Sequence, residues 1–225
     1  MTNALVLKSW RRPVLMLSTI LLVLVFLAAL TRGSLAGDDE DAAQFVRSFG
    51  DQAIAMLSDP VLGPEDRERE FRRLLTDGFH LELIGRFVLG RHWRRASDEE
   101  RAEFQRLFED YVVASYAQQL ANYAGEQLVI QRGQVKGERG ALVSSQITRP
   151  QGDPIQVEWR LRRAGEGWRI IDVVIEGISM AVTHRSEFSS VIGSHGGRID
   201  GLLEVLRGKT APTETHASAG TVDTL

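Results

Sequence analysis

Apolar positions recur every three to four residues through the first half of the chain and every second residue through much of the rest. In residues 42–57, Phe45, Val46, Phe49, Ala53, Ile54 and Leu57 form a helical stripe closed by Asp59-Pro60. A second helix is expected from Pro64, with Glu65, Asp66 and Glu68 at its positive end and Phe71, Leu74 and Leu75 on its apolar face, stopping around Asp77-Gly78. Residues 79–89 place Phe79, Leu83, Ile84, Phe87 and Val88 at helical spacing and end at Gly90. Ser97-Asp98-Glu99-Glu100 is a capping box, and the helix it opens should be the longest. That helix should run to about residue 123, with Phe104, Leu107, Phe108, Tyr111, Val112, Tyr116 and Leu120 on one face.

At Gly125 the period drops from 3.6 to two. Residues 128–135, 141–148, 155–163 and 168–178 read as strands, separated by Lys136-Gly137, Pro150-Gln151-Gly152-Asp153 and Ala164-Gly165-Glu166-Gly167. Ile155, Val157, Trp159 and Leu161 alternate with Gln156, Glu158, Arg160 and Arg162, giving one buried and one wet face. The last strand lacks that alternation, so it is central, bulged, or covered on both sides. Two short helices are expected at 184–192 and 197–206. Helices, then about four antiparallel strands, then helices is an α+β pattern, with most of the chain in one domain.

The ends of the chain read differently. Lys8, Arg11 and Arg12 precede an apolar stretch over 14–30, and Ser34-Leu35-Ala36 supplies small residues at a cleavage site before Asp38-Asp39-Glu40-Asp41. Residues 1–36 therefore read as a secretory signal peptide, with an uncleaved anchor as the alternative. Residues 209–225 are polar, small and rich in threonine and alanine, and read as a disordered tail.

Composition narrows the chemistry. Residues 1–36 carry four basic and no acidic side chains, so their removal takes the formal charge from −3 to −7. A negative domain without a basic tract argues against nucleic acid as a partner and against broad adhesion to anionic lipid surfaces. There are no cysteines, hence no disulfide, thiol nucleophile or thiolate-held metal. His80, His92, His184, His195 and His216 show no ligand spacing and read as surface or helix-end residues. Asp172 and Glu176, four apart, would share a side of an unbulged strand, where a carboxylate in apolar surroundings could act as an acid or base, or could serve as a structural partner. Gly177-Ile178-Ser179 lacks the trailing glycine of a nucleophile elbow. Gly196-Gly197 could present amides to an anion or form a plain turn, and Arg86, Arg91, Arg94 and Arg95 form a basic cluster interleaved with Phe87, His92 and Trp93.

Taken together, several pieces resemble the MlaC, or toluene-tolerance, family of periplasmic lipid-binding proteins. They are the run from Leu89 through Gly90, Arg91, His92, Trp93, Arg94, Arg95 and Ala96 to Ser97; Trp168 with Asp172 and Val173; Glu176 to Met180; Arg185 and Phe188; and Gly197 with Asp200, Gly201, Leu202, Leu203 and Leu206. The resemblance covers about residues 42–208. It implies a fold like nuclear transport factor 2, in which a curved antiparallel sheet and helices enclose a cavity for acyl chains. It also implies a monomeric, non-enzymatic shuttle whose cargo is phospholipid, or a hopanoid-type lipid, with no cofactor. Its implied partners are an outer-membrane lipoprotein complex and an inner-membrane ABC transporter with an MCE-domain subunit. By face and periodicity, Phe87, Phe108, Val112, Tyr116, Val143, Ile147, Val157, Trp159, Val174, Ile178, Met180, Phe188 and Ile192 are the expected cavity-lining residues. A cone-shaped isomerase or hydrolase using Asp172 is the rival reading.

Overall fold

The computed structural model describes residues 33–120, 123 and 125–210. The leader reading falls mainly on residues 1–32 and the tail reading on 211–225, with His216, outside the described residues. The helices are α1 (Gly33–Ser58), α2 (Pro64–Gly78), α3 (Leu81–Leu89), α4 (Asp98–Leu120), α5 (Met180–Ser194) and α6 (Ile199–Thr210), with a 3-10 turn at Gly90–Arg94. The strands are β1 (Gln127–Lys136), β2 (Gly140–Thr148), β3 (Ile155–Ala164), β4 (Gly167–Ile175) and β5 (Ile178–Ser179). They pair antiparallel in sequence order, so the sheet is the expected meander of about four strands, with a two-residue fifth strand added at its edge.

Local chemistry accounts for most boundaries. At the start of α4 the Glu100 backbone N–H donates to Ser97 Oγ at 3.2 Å, and the Ser97 N–H donates to Glu100 Oε2 at 2.8 Å, the reciprocal pair of a capping box. Ser97→Ala should lower the unfolding free energy by about 1 kcal/mol, read from a denaturant midpoint with unchanged slope. Pro64 opens α2 with Glu65 and Asp66 in its first turn.

The first helix begins earlier than its apolar stripe, and the acidic run ahead of that stripe is part of it. Arg163 pairs with Asp38 at 2.8 Å and Asp41 at 3.2 Å, while the Val135 N–H donates to Asp39 Oδ1. Here α1 crosses β1 at Gly133, where a Cβ would fall on the Asp39 carbonyl oxygen. These contacts fix one end of α1 to the sheet.

The missing alternation in the last long strand has two causes. A bulge at Ile171 shifts the register against β3, so Leu161 faces Ile170 but Trp159 faces Val173. Trp168 and Ile170 thus share a face with Val173 and Ile175, while Asp172 and Val174 point to the opposite one, against the β5–α5 corner. The strand then stops at Ile175. Glu176 adopts φ 49° beside Gly177 at φ 80°, a tight turn, and its carboxylate accepts from the Gln156 N–H. Glu176 has therefore left the strand, and the expected side-by-side carboxylates do not form.

Three apolar clusters result. One joins α1 to the sheet through Ala42, Val46, Val143, Trp159, Leu161 and Ile170. A second joins α3, α4, α5 and α6 through Phe104, Phe108, Phe188, Ile192, Leu202 and Leu206. A small third holds Met56, Phe71, Leu75 and Val113. Phe79 packs against all three, and the His80 N–H donates to the Ile170 carbonyl at 2.9 Å, fastening the α2–α3 junction to β4. Among the described residues no helix is long and apolar enough to cross a membrane.

Candidate functional site

Between these clusters lies a cleft of about 450 Å³. Its floor is the sheet face carrying Ile147, Val157, Trp159, Val173 and Ile175. One wall is the α1–α2 hairpin, through Phe49, Ala53, Ile54, Leu57, Phe71, Leu74 and Leu75. The other is built by Phe79, Leu81 and Ile84, by Phe108, Val112 and Tyr116 of α4, and by Met180, Ala181 and His184 of α5. Tyr123, Glu126, Gln127 and Leu128 close the end where α4 passes into β1. The volume falls within the range of about 300–1,000 Å³ usual for small-molecule sites.

The aromatic groups are fixed by packing. Phe49 meets Phe79 and Trp159 edge-on, with centroids 5.6 and 5.9 Å apart. Trp159 donates its indole N–H to Ser145 Oγ at 2.8 Å, and that hydroxyl donates to the Val157 carbonyl, so a polar edge on the cleft floor is satisfied within the sheet.

Few polar residues border the cleft, and the most buried of them lies along its β4 edge with its carboxylate turned to the β5–α5 corner, where it is fully engaged. Asp172 is 8% exposed; its Oδ1 accepts from the Ala181 N–H at 3.0 Å, and its Oδ2 from Ser179 Oγ at 2.6 Å and Arg160 Nη1 at 3.2 Å. Ser179 in turn caps α5 by accepting from the Val182 N–H. Asp172 therefore ties β3, β4 and the start of α5 together. Tyr116 reaches across from α4 so that its hydroxyl lies 3.2 Å from His184 Nε2, and His184 Nδ1 lies 3.2 Å from Glu187. Burial raises the Tyr116 phenol above its ordinary range, and the proximity of Tyr111 and Glu187 acts in the same direction.

Of the expected lining residues, Phe108, Val112, Tyr116, Ile147, Val157, Trp159 and Met180 border the cleft. The other six lie elsewhere. Phe87 is 42% exposed on α3 with the Arg185 guanidinium 5.0 Å above its ring, and Ile178 is 59% exposed at the tight turn. Val143 is packed under α1 with Ala42 and Val46. The bulge turns Val174 to the opposite face of the sheet. Phe188 and Ile192 are interior to the helical cluster, where Phe188 meets Phe104 and Phe108 edge-on.

Other expectations are also corrected. His184 lines the cleft, and His92 is buried, its imidazole pushed to a lower pKa by burial and by Arg91 and Arg95. Both stand near helix ends, one of the two expected placements, but neither is a plain surface residue. The Gly197 N–H donates to the Ile192 carbonyl at 2.9 Å, closing a helix end, so it is not free for an anion. Arg86, Arg91, Arg94 and Arg95 are exposed. Among the described residues no group of three or more histidines, aspartates and glutamates converges as a metal site.

The family profile described as MlaC protein matches residues 47–208. The intermembrane phospholipid transport system binding protein MlaC of Haemophilus influenzae is 27% identical over 128 residues, covering 55% of this chain and 59% of that protein. Toluene tolerance protein ttg2D of Pseudomonas putida is 22% identical over 124 residues, covering 55% of this chain and 58% of that one. Each match thus spans less than two thirds of the curated relative. A phospholipid-binding protein of Ralstonia solanacearum, solved with a phospholipid bound, shares the fold at a TM-score of 0.68 and 23% identity, covering 76% of this chain and 97% of the other.

Proposed function

The chain belongs to the MlaC family, and from that premise we propose that it is a periplasmic carrier that shelters the acyl chains of a phospholipid in the cleft between the α1–α2 hairpin, the sheet, and α4 with α5. The observation that carries this reading is the cleft itself, an apolar hollow between helices and a bulged sheet. Each methylene hidden from water contributes about 0.8 kcal/mol, so apolar walls alone give substantial affinity. Few hydrogen-bonding groups border the walls, and a cargo held mainly by apolar contact can pass between sites without a rigid set of polar contacts to break.

The relatives' names support a place in lipid traffic between membranes. In that scheme the carrier exchanges cargo with an inner-membrane ABC transporter containing an MCE-domain subunit and with an outer-membrane lipoprotein complex. An N-terminal leader over residues 1–36 would deliver it to the periplasm. The saturation of Asp172 by Arg160, Ser179 and Ala181 favours carriage over an isomerase- or hydrolase-type reaction at that carboxylate.

Protein purified from its periplasmic fraction and extracted into organic solvent should yield phospholipid at close to a fixed molar ratio by mass spectrometry. Protein that extracts empty and whose melting temperature ignores added phospholipid would sink the carrier reading.

A further inference from the structure

The part of the cleft wall built by Phe79 and Leu81 is shared with another space. The same two residues line a second hollow of about 280 Å³, whose remaining walls include Thr76, Glu82, Glu109 and Arg169. The two spaces differ in kind. On the cleft side Phe79 meets Phe49 edge-on with ring centroids 5.6 Å apart, among apolar neighbours. Around the second hollow Glu109 pairs with Arg72 at 3.2 Å, and Arg169 donates to the Trp168 carbonyl at 3.0 Å. Methylenes pushed into that hollow would strip water from charged groups without replacing its hydrogen bonds. Phe79 itself is held from several directions. Its N–H donates to the Leu75 carbonyl at 2.8 Å, the next N–H along the chain fastens to β4, and its ring packs against all three apolar clusters. It is a fixed partition between an apolar space and a polar one.

Resting on the carrier reading above, we propose that Phe79, with Leu81 beside it, is the stop that sets the length of acyl chain the cleft accepts. A bilayer shelters every methylene of its lipids, so a chain that ends before the stop exchanges one apolar surrounding for another at little cost. Each methylene that the stop keeps out of the cleft loses that shelter, which lowers loading about fourfold. Loading should therefore be level up to one chain length and break sharply above it.

The test is competitive loading of the full chain from vesicles of equimolar phosphatidylcholines whose paired mono-unsaturated chains lengthen in two-carbon steps from fourteen to twenty-two carbons, read by native mass spectrometry. Above the break, each step should lower loading about tenfold or more. Phe79→Ala leaves a hollow where the ring stood and should move the break up by about one step. Leu81→Ala, a smaller change at a half-buried position, should move it the same way. Leu57→Ala removes the same atoms from the α1 wall of the cleft, about two turns along from Phe49, and should leave the break in place. A level profile across all lengths, a break that neither Phe79→Ala nor Leu81→Ala moves, or an equal move in Leu57→Ala overturns the stop. Failure to load any of the lipids overturns the carrier reading instead.

Discussion

Val112→Trp is expected to empty the protein of lipid without unfolding it. Val112 sits on the α4 face between Phe108 and Tyr116, half-buried and bordering the cleft. An indole there has open space to occupy, so the substitution adds apolar contacts instead of forcing neighbours apart, and the melting temperature should hold or rise. The same indole takes volume from the cargo. Excluding two methylenes removes about 1.6 kcal/mol of transfer energy, and about 1.4 kcal/mol is already tenfold in affinity. Lipid recovered per mole of protein should fall at least tenfold. A variant that keeps its full complement of lipid would place the cargo somewhere other than this cleft.

Asp172→Ala should produce the largest loss of stability from a single change near the cleft. It removes one acceptor group that serves Arg160, Ser179 and the Ala181 backbone N–H together. Arg160 is half-exposed and rehydrates at little cost. The Ala181 N–H is buried and has no such recourse, and Ser179 loses the partner that holds it against the strand. A buried donor left without an acceptor costs about 1–3 kcal/mol, so a total of roughly 3 kcal/mol is expected in chemical denaturation. Asp172→Asn keeps one acceptor oxygen and should lose about half as much. A cost below about 1 kcal/mol for the alanine variant would show that the strand and α5 are held together by other contacts.

The readable parts of this fold were those decided by short spans of chain. Ser97 and Glu100 announce the start of α4 because both halves of the cap lie within four residues. The alternation from Ile155 to Leu161 announces β3 because each side chain's face follows from its parity. The bulge at Ile171 breaks that rule by one residue, and its position depends on pairing with β3. Met180, His184, Phe188 and Ile192 show why the cleft was harder to read. They follow one another at four-residue spacing along α5, yet the first two border the cleft and the last two are interior to the helical cluster. Periodicity assigns all four to one stripe, and only the placement of α4 and the sheet divides that stripe. The wall contributed by Phe49, Ala53, Ile54 and Leu57 was visible as an apolar stripe, but a stripe that packs on a sheet and one held off it have the same pattern. His184 carried only the local i,i+3 pairing with Glu187, and its place at the cleft was not readable because Tyr116 comes from a different helix.

The anchoring of α1 over its first half has a mechanical consequence. Its ion pairs and main-chain contacts with the sheet gather at Asp38, Asp39 and Asp41, while the part that walls the cleft ends at Leu57 and touches its surroundings through apolar side chains. The helix is clamped to the sheet as far as Gly50, where a Cβ would strike Leu128 of β1, and overhangs beyond it. From Gly50 to Leu57 the overhang spans about 10 Å, so a tilt of about 5° at Gly50 moves the tip by roughly 1 Å. A partner pressing on the loop after Leu57 would work on this overhang, with the sheet as its fixed support.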